Sequence, residues 1–350
     1  MQEILHYIPF LHNGVLTALI AHGLIGISLV WDKVLLKQPE TKNLISYVFW
    51  LGAISIFGLV LIPFGFRETE IWIAGLAFGT GVLQLVAVYF YYAALKYGEA
   101  SQTLAVMGGF SPVATALIGI PLLRKQLSGY SLVAFALLTA GGFVMFLAER
   151  VPIRKMLTWI ILASVLFGLV NVFEKVVYDN TNFVTGYVYF TLGTFAGAMG
   201  LLLRRRWRTT IFTESEKAEP RNRFWYFVNR FMAGVGSFLI YYSISLTNPA
   251  LVDAITAVRY VIIFAGAYLL TRIRPVWLSE NFTGRVLLGK GLATLMVIAG
   301  LVILGITGKG ENGGPSVEKR NPVLSAQWAA LSARHRRTAQ SLPSYIPSRA

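Results

Sequence analysis

Residues 26–34 read GISLVWDKV, and residues 168–176 read GLVNVFEKV. A glycine, an aromatic residue, an acid, a lysine and a valine recur in the two stretches without a gap. Further pairs follow in the same order along the chain: residues 46–52 with 186–193, Tyr91-Tyr92 with Tyr241-Tyr242, and residues 141–144 with 299–302. A single pair could arise by chance in apolar sequence, but several pairs in one order indicate an internal duplication.

The composition predicts that the duplicated units lie in a lipid bilayer. Of the 350 residues, 55% are hydrophobic and only 13% are charged, whereas soluble domains average about 25% charged residues. Apolar stretches long enough to cross a hydrocarbon core about 30 Å thick recur along the chain. They predict an all-α, polytopic membrane protein with ten transmembrane helices: Gly14–Leu36, Leu44–Phe64, Ile71–Leu95, Ser101–Leu123, Tyr130–Leu147, Leu157–Val177, Val184–Leu203, Phe224–Leu246, Ala250–Thr271 and Val286–Ile306.

The number of helices in each unit determines how the two units insert. Consecutive units with an odd number of helices cross the membrane in opposite directions, which gives an inverted repeat with a site near the midplane between the halves. We predict a first five-helix repeat at residues 1–150, a second at 151–307, and a basic, disordered tail at 308–350. No cleavage-site pattern follows the N-terminus, so the first apolar run is expected to remain as the first helix.

Residue types that are missing narrow the chemistry. The chain has no cysteine and only four scattered histidines, so we expect no metal site and no cofactor. It has no phosphate-cradling loop followed by Lys-Ser/Thr and no HExxH or GxSxG pattern, which argues against an ATP-driven pump and against an enzyme. The formal net charge is +15, concentrated at residues 204–230 and after Lys309. Such basic loops indicate contact with anionic lipid rather than with nucleic acid.

The fourth and fifth predicted helices carry a family resemblance. Residues 105–123 contain Phe110-Ser111-Pro112 in mid-span, and residues 132–147 contain Gly141-Gly142 after a short polar turn. This pattern resembles the EamA-type branch of the drug/metabolite transporter superfamily, whose members have ten helices arranged as five plus five. The turn at residues 124–128 reads RKQLS and lacks the family's usual glutamate. The resemblance implies a transporter fold and small-molecule substrates, but no particular substrate.

Arg259 is the first candidate for a substrate contact. It lies nine residues after Ala250, about 14 Å along a continuous helix, and therefore near the membrane midplane. A charge at that depth is costly and usually faces an interior cavity, where a guanidinium can bind both oxygens of a carboxylate. A buried structural pair or a snorkelling side chain is the alternative. The other candidates are polar or aromatic residues on matching helix faces: Tyr260, Gln84, Tyr91, Tyr241 and Asn171.

A second group of residues is predicted to couple or gate transport. His22 lies in the middle of the first predicted helix and could relay protons, although a packed, hydrogen-bonded histidine is equally plausible. Asp32-Lys33 and Glu174-Lys175 occupy matching positions in the two repeats. Three roles stay open for them: their acids could carry protons, the pairs could act as gates, or they could anchor the helices at the membrane interface. Asp253 lies six residues before Arg259, about 120° away on a continuous helix, and could line the same cavity.

Two glycine pairs are predicted to let helices pack closely. They are Gly75-x-x-x-Gly79 and Gly193-x-x-x-Gly197, in which the missing side chains allow backbones to approach each other.

The orientation is predicted differently by two arguments. Lysine and arginine concentrate in the loops after odd-numbered helices, which places those loops in the cytoplasm and both termini outside. The family resemblance implies the reverse. In either orientation we expect the plasma (inner) membrane, a small-molecule substrate and the lipid bilayer as partners, with a homodimer left open. Two other functions stay open: a non-transporting membrane scaffold or accessory subunit, and a lipid-embedded enzyme.

Overall fold

The computed structural model describes residues 12–35, 44–95, 97, 100–124, 127, 129–148, 154–216, 220–273 and 284–307. These residues are 92% helical and contain no strand. The α-helices are α1 (Gly14–Leu35), α2 (Leu44–Ile54), α3 (Ile71–Leu95), α4 (Ala100–Leu123), α5 (Gly129–Ala148), α6 (Arg154–Asn180), α7 (Phe183–Leu201), α8 (Arg205–Glu216), α9 (Pro220–Leu246), α10 (Pro249–Ala254), α11 (Ala257–Ile273) and α12 (Gly284–Thr307). The prediction of an all-α protein is confirmed.

Each predicted apolar stretch lies on helical structure, but two of them are not single α-helices. The second stretch changes from α2 to a 3₁₀ helix over Ser55–Phe64. The ninth is divided into α10 and α11. The predicted tail at 308–350 and most of the predicted turn at 124–128 lie outside the described residues.

Six described helical segments are long and apolar enough to cross a membrane. Their ranges are Gly14–Trp31, Leu44–Phe64, Ile71–Ala94, Val106–Leu123, Gly129–Ala148 and Arg154–Asn180. A seventh span results if α7 and the first part of α8, which bend by 100° at their junction, are taken as one. Helices suit this role because all of their backbone hydrogen bonds are made within the segment.

The basic stretch at residues 204–230 contains a helix between the seventh and eighth predicted spans, α8, that was not predicted. On α8, Ile211 is buried and Phe212 packs against Phe49 of α2 with ring centroids 6.3 Å apart. The arginines at the start of this segment are exposed, and the Arg204 guanidinium lies 4.8 Å from the Trp207 ring. The segment is therefore an amphipathic helix, with an apolar face on α2 and a basic face turned outward.

Most helix contacts join the two halves of the chain. The main pairs are α1 with α9 and α11, α3 with α6 and α7, α4 with α6 and α10, and α5 with α12. Hydroxyl groups bond across several of these contacts. Ser243 Oγ on α9 donates to the Gly14 carbonyl at 2.6 Å, and Thr194 Oγ1 on α7 lies 3.1 Å from the Gly81 carbonyl on α3.

The two predicted glycine pairs differ in their surroundings. A methyl group at Gly193 would overlap the backbone of Phe78, and one at Gly197 would press on Leu85. This pair therefore lets α7 approach α3 closely, as predicted. Gly75 and Gly79 face open space within the described part of the chain, so the prediction of close packing at these two residues is wrong.

Candidate functional site

The break between α10 and α11 organises the site. The Thr256 amide bonds to the Asp253 carbonyl at 3.0 Å, and the Arg259 amide bonds to the Thr256 carbonyl at 2.9 Å. Both bonds span three residues instead of four, so the backbone turns more tightly than in an α-helix. Asp253 and Arg259 consequently lie on two separate helical segments, and the angle of about 120° predicted for a continuous helix does not apply.

His22 of α1 connects the break to Arg259. Its Nδ1 accepts a hydrogen bond from Arg259 Nε at 2.9 Å, and its Nε2 lies 2.9 Å from the Val252 carbonyl oxygen. A ring nitrogen that accepts carries no proton, so the proton is on Nε2, which donates to Val252. The buried ring is a neutral bridge that holds the guanidinium and binds the carbonyl at the end of α10.

Asp253 receives hydrogen bonds from another helix. Ser111 Oγ on α4 donates to its Oδ2 at 2.8 Å, and Thr115 Oγ1 lies 2.5 Å from the same oxygen. Asn171 on α6 lies near this carboxyl. Ser111 and Thr115 were not among the predicted site residues, although their spacing of four residues places both hydroxyls on one helix face.

Three tyrosines surround the charged groups. Tyr91, Tyr241 and Tyr260 all interact electrostatically with Arg259, and all three are buried. Room for Tyr260 comes from Gly108 on α4, where a methyl group would overlap the tyrosine ring. Five of the predicted substrate contacts therefore lie in one region: Tyr260, Tyr91 and Tyr241, which are buried, and Arg259 and Asn171, which are half-buried. Gln84 is half-buried, and its Oε1 has no hydrogen-bond partner in the described part of the chain.

Glu174 lies beside this region. Its side chain is 0% exposed, and neither carboxyl oxygen has a hydrogen-bond partner among the described residues. Tyr178, Tyr187 and Tyr241 interact with it electrostatically. Because Tyr241 also interacts with Arg259 and Asp253, it joins Glu174 to the groups at the helix break.

Lys175 points to different partners. Its Nζ lies 3.0 Å from the Ser245 carbonyl oxygen, near the C-terminal end of α9, and 3.3 Å from Asp179 Oδ1. A cation is favourable at a helix C-terminus, where carbonyl groups are left without helical partners. The predicted counterparts in the first repeat, Asp32 and Lys33, lie on α1, but their side chains are outside the described part of the structure.

Comparison with known proteins supports the fold. One solved crystal structure, titled only "Crystal structure of protein", is 15% identical, covers 86% of this chain and 99% of its own, and has a TM-score of 0.56. At that identity the likeness concerns the fold alone. No curated protein matches the chain.

A family model matches the N-terminal part of the chain, fewer than half of its residues. It describes the EamA-like transporter family and covers residues 12–147, which contain α1 to α5. Members of this family are membrane transporters of small molecules. The resemblance predicted from the sequence is thus confirmed: residues 12–147 of this integral membrane protein match the EamA-like transporter family.

Proposed function

We propose that the chain is a secondary transporter or exporter of small metabolites, built from ten spans in two inverted five-helix repeats. The repeats would occupy residues 1–150 and 151–307, with the tail at 308–350 outside them. The end of the family match at residue 147, just before the end of α5, supports the first boundary. The substrate would bind between the repeats near the membrane midplane, the usual place for a site in such proteins.

The pairing of helices supports the inverted repeat. Each predicted span can be exchanged for its counterpart in the other half: the first for the sixth, the second for the seventh, and so on to the fifth for the tenth. This exchange converts the α1–α9 contact into the α6–α3 contact. It likewise converts the α4–α6 contact into the contact between α1 and the divided ninth helix, and it returns the α5–α12 contact to itself. Exchange of this kind is expected of two units related by a pseudo-twofold axis. The contact between α3 and α7 has no such counterpart among the main pairs.

The observation that carries the function is the half-buried arginine at a divided helix. Arg259 lies in the first turn of α11, where the amide groups of a helix N-terminus favour negative charge. Its guanidinium forms no salt bridge in the described part of the chain, so its terminal N–H groups could bind a carboxylate. Divided helices beside charged residues form the substrate sites of many secondary transporters. We therefore assign Arg259 as the contact for a carboxylate group, with Tyr91, Tyr241, Tyr260, Asn171 and Gln84 lining the site.

Coupling to protons belongs to the same proposal. Asp253 and Glu174 are buried carboxyl groups next to the site and can exchange protons. Both nitrogens of His22 are engaged in hydrogen bonds, so we assign it to positioning Arg259 rather than to carrying protons. Lys175, with Asp32 and Lys33 in the other repeat, would close or open the ends of the helices. We place the protein in the plasma (inner) membrane and propose that it can form a homodimer.

Reconstitution tests the transport function. The full chain in liposomes, supplied with a library of small metabolites, is expected to move at least one compound, and faster when a pH gradient is imposed. Liposomes without protein give the background rate. Absence of flux for every compound, together with absence of any ligand-induced change in protein fluorescence, would favour the alternative of a non-transporting scaffold or accessory subunit.

Single cysteines can determine the orientation, because the natural chain has none. Thr209 on α8 and Glu68 are both exposed. Thr209 follows the seventh predicted helix, which is odd-numbered, whereas Glu68 follows the second, which is even-numbered. The loop charges predict that Thr209→Cys is protected from a membrane-impermeant thiol reagent in intact cells, whereas Glu68→Cys is labelled. Permeabilised cells, in which both should react, are the control. The reverse pattern would support the orientation implied by the family.

A further inference from the structure

Glu174 is buried, and no basic side chain forms an ion pair with it among the described residues. Its side chain is 0% exposed, and both carboxyl oxygens lack a hydrogen-bond partner among the described residues. The Tyr178 hydroxyl nearby is also buried and makes no hydrogen bond of standard geometry there, although it interacts with the Glu174 carboxyl. A buried carboxyl group normally has a cation or several hydrogen-bond donors around it, because transfer out of water is costly. A buried carboxyl group in this situation either holds a proton or takes a cation from outside the protein.

The neighbouring basic residue does not fill this role. Lys175 follows Glu174 directly but extends to Asp179 and the Ser245 carbonyl. Within the described ranges, no lysine, arginine or histidine forms an ion pair with Glu174. None of the described basic residues therefore places a positive charge against this carboxyl.

Aromatic rings form the surroundings of this carboxyl. Tyr178, Tyr187 and Tyr241 interact with it electrostatically. The rings continue around Phe183 and Phe190: Tyr178 lies 5.3 Å from Phe183, Phe183 lies 5.4 Å from Tyr187, Tyr187 lies 6.1 Å from Tyr241, and Tyr241 lies 4.6 Å from Phe190, measured between centroids. We name these five rings the aromatic cage. They come from α6, α7 and α9, so three helices of the second repeat build it.

We infer that Glu174 and the aromatic cage form a subsite for an ammonium group, so that the transported metabolites include amines or quaternary ammonium compounds. The negative faces of aromatic rings attract such cations, and desolvation strengthens the attraction. The Glu174 carboxylate supplies the negative charge that pairs with the ammonium group. This inference rests on the proposed transport function and deepens it by naming a chemical group of the substrate. It is separate from the role of Arg259, which would bind a negative group.

A pair of molecules with the same shape tests the role of charge. 3,3-Dimethylbutan-1-ol has the shape of choline, but a carbon atom stands in place of the quaternary nitrogen, so the molecule is uncharged. We expect choline and tetramethylammonium to raise the thermal unfolding midpoint of the full chain in detergent, in a concentration-dependent manner. The uncharged alcohol should leave the midpoint unchanged at the same concentration. Equal shifts from choline and the alcohol, or no shift from either ammonium compound, would overturn the inference.

Variants test the location of the subsite. Glu174→Gln keeps the shape of the side chain and should weaken choline binding at least tenfold, while Tyr187→Leu should weaken it by removing one ring. Glu68→Gln makes the same chemical change at an exposed carboxylate and should bind choline like the natural chain. Gel filtration and the unfolding midpoint without ligand establish that each variant is folded. Unchanged choline binding by folded Glu174→Gln would place the site elsewhere and overturn the inference.

The transport assay separates this inference from the function on which it rests. If the natural chain moves other metabolites in liposomes but binds no ammonium compound, the cation subsite is wrong and the transporter proposal stands. If ammonium compounds bind through Glu174 but nothing is transported, the subsite stands and the transporter proposal fails.

Discussion

Replacement of Arg259 by lysine is expected to lower the initial rate of carboxylate uptake into proteoliposomes by about 100-fold. A guanidinium can bind both oxygens of a carboxylate, while an ammonium group acts as a single point charge. Lysine also has no counterpart of Nε, which donates to His22 at 2.9 Å. Hydrogen bonds to charged groups contribute about 1.5–3 kcal/mol each, so loss of one or two of them accounts for a change of this size.

The control for Arg259→Lys is the same substitution at the surface. Arg208 is exposed on α8, and Arg208→Lys should transport like the natural chain because it retains the charge away from the site. His22→Gln gives a second comparison, since it leaves Arg259 in place but removes the imidazole that bridges Arg259 and Val252. An intermediate rate is expected for that variant. Unchanged carboxylate uptake by folded Arg259→Lys would mean that Arg259 serves packing rather than substrate binding.

The helices were predictable because the information for them is local. An apolar stretch of about 20 residues specifies a helix in lipid whatever surrounds it. The same holds for the family resemblance, since Phe110-Ser111-Pro112 and Gly141-Gly142 are short patterns within single helices. The α8 helix also had a local signal. Trp207 and Ile211 are four residues apart, a spacing that places both on one face of a helix.

The break between α10 and α11 had no such signal. Residues 253–259 read DAITAVR, without a proline or glycine to interrupt a helix. The groups that stabilise the break come from distant parts of the sequence: His22 binds the Val252 carbonyl, and Ser111 and Thr115 bind Asp253. Such contacts depend on how helices pack, which sequence periodicity does not reveal. The joining of Glu174 to the Arg259 region through Tyr241 could not be predicted for the same reason.

The hydroxyls that bind Asp253 lead to the second large expected effect, this time on stability. The double variant Ser111→Ala/Thr115→Val should lower the free energy of unfolding by about 3–6 kcal/mol, as two hydrogen bonds to a charged group contribute about 1.5–3 kcal/mol each. The carboxyl would remain buried with fewer donors, and water is not available in the membrane interior to replace them. Reversible unfolding in sodium dodecyl sulfate, followed by tryptophan fluorescence, measures the change.

Matched hydroxyls elsewhere provide the control for the double variant. Ser164 and Thr158 on α6 donate only to carbonyls of their own helix, at 2.8 and 3.1 Å. Ser164→Ala/Thr158→Val should therefore change the unfolding free energy by less than about 1 kcal/mol, since it leaves no buried charge unpaired. Adding Asp253→Asn to Ser111→Ala/Thr115→Val should recover part of the lost stability, because the group left without donors is then uncharged. If Asp253→Asn brings no recovery, the stability of the break does not depend on a charged carboxyl, and Asp253 would serve chiefly as a group that the substrate or a proton reaches.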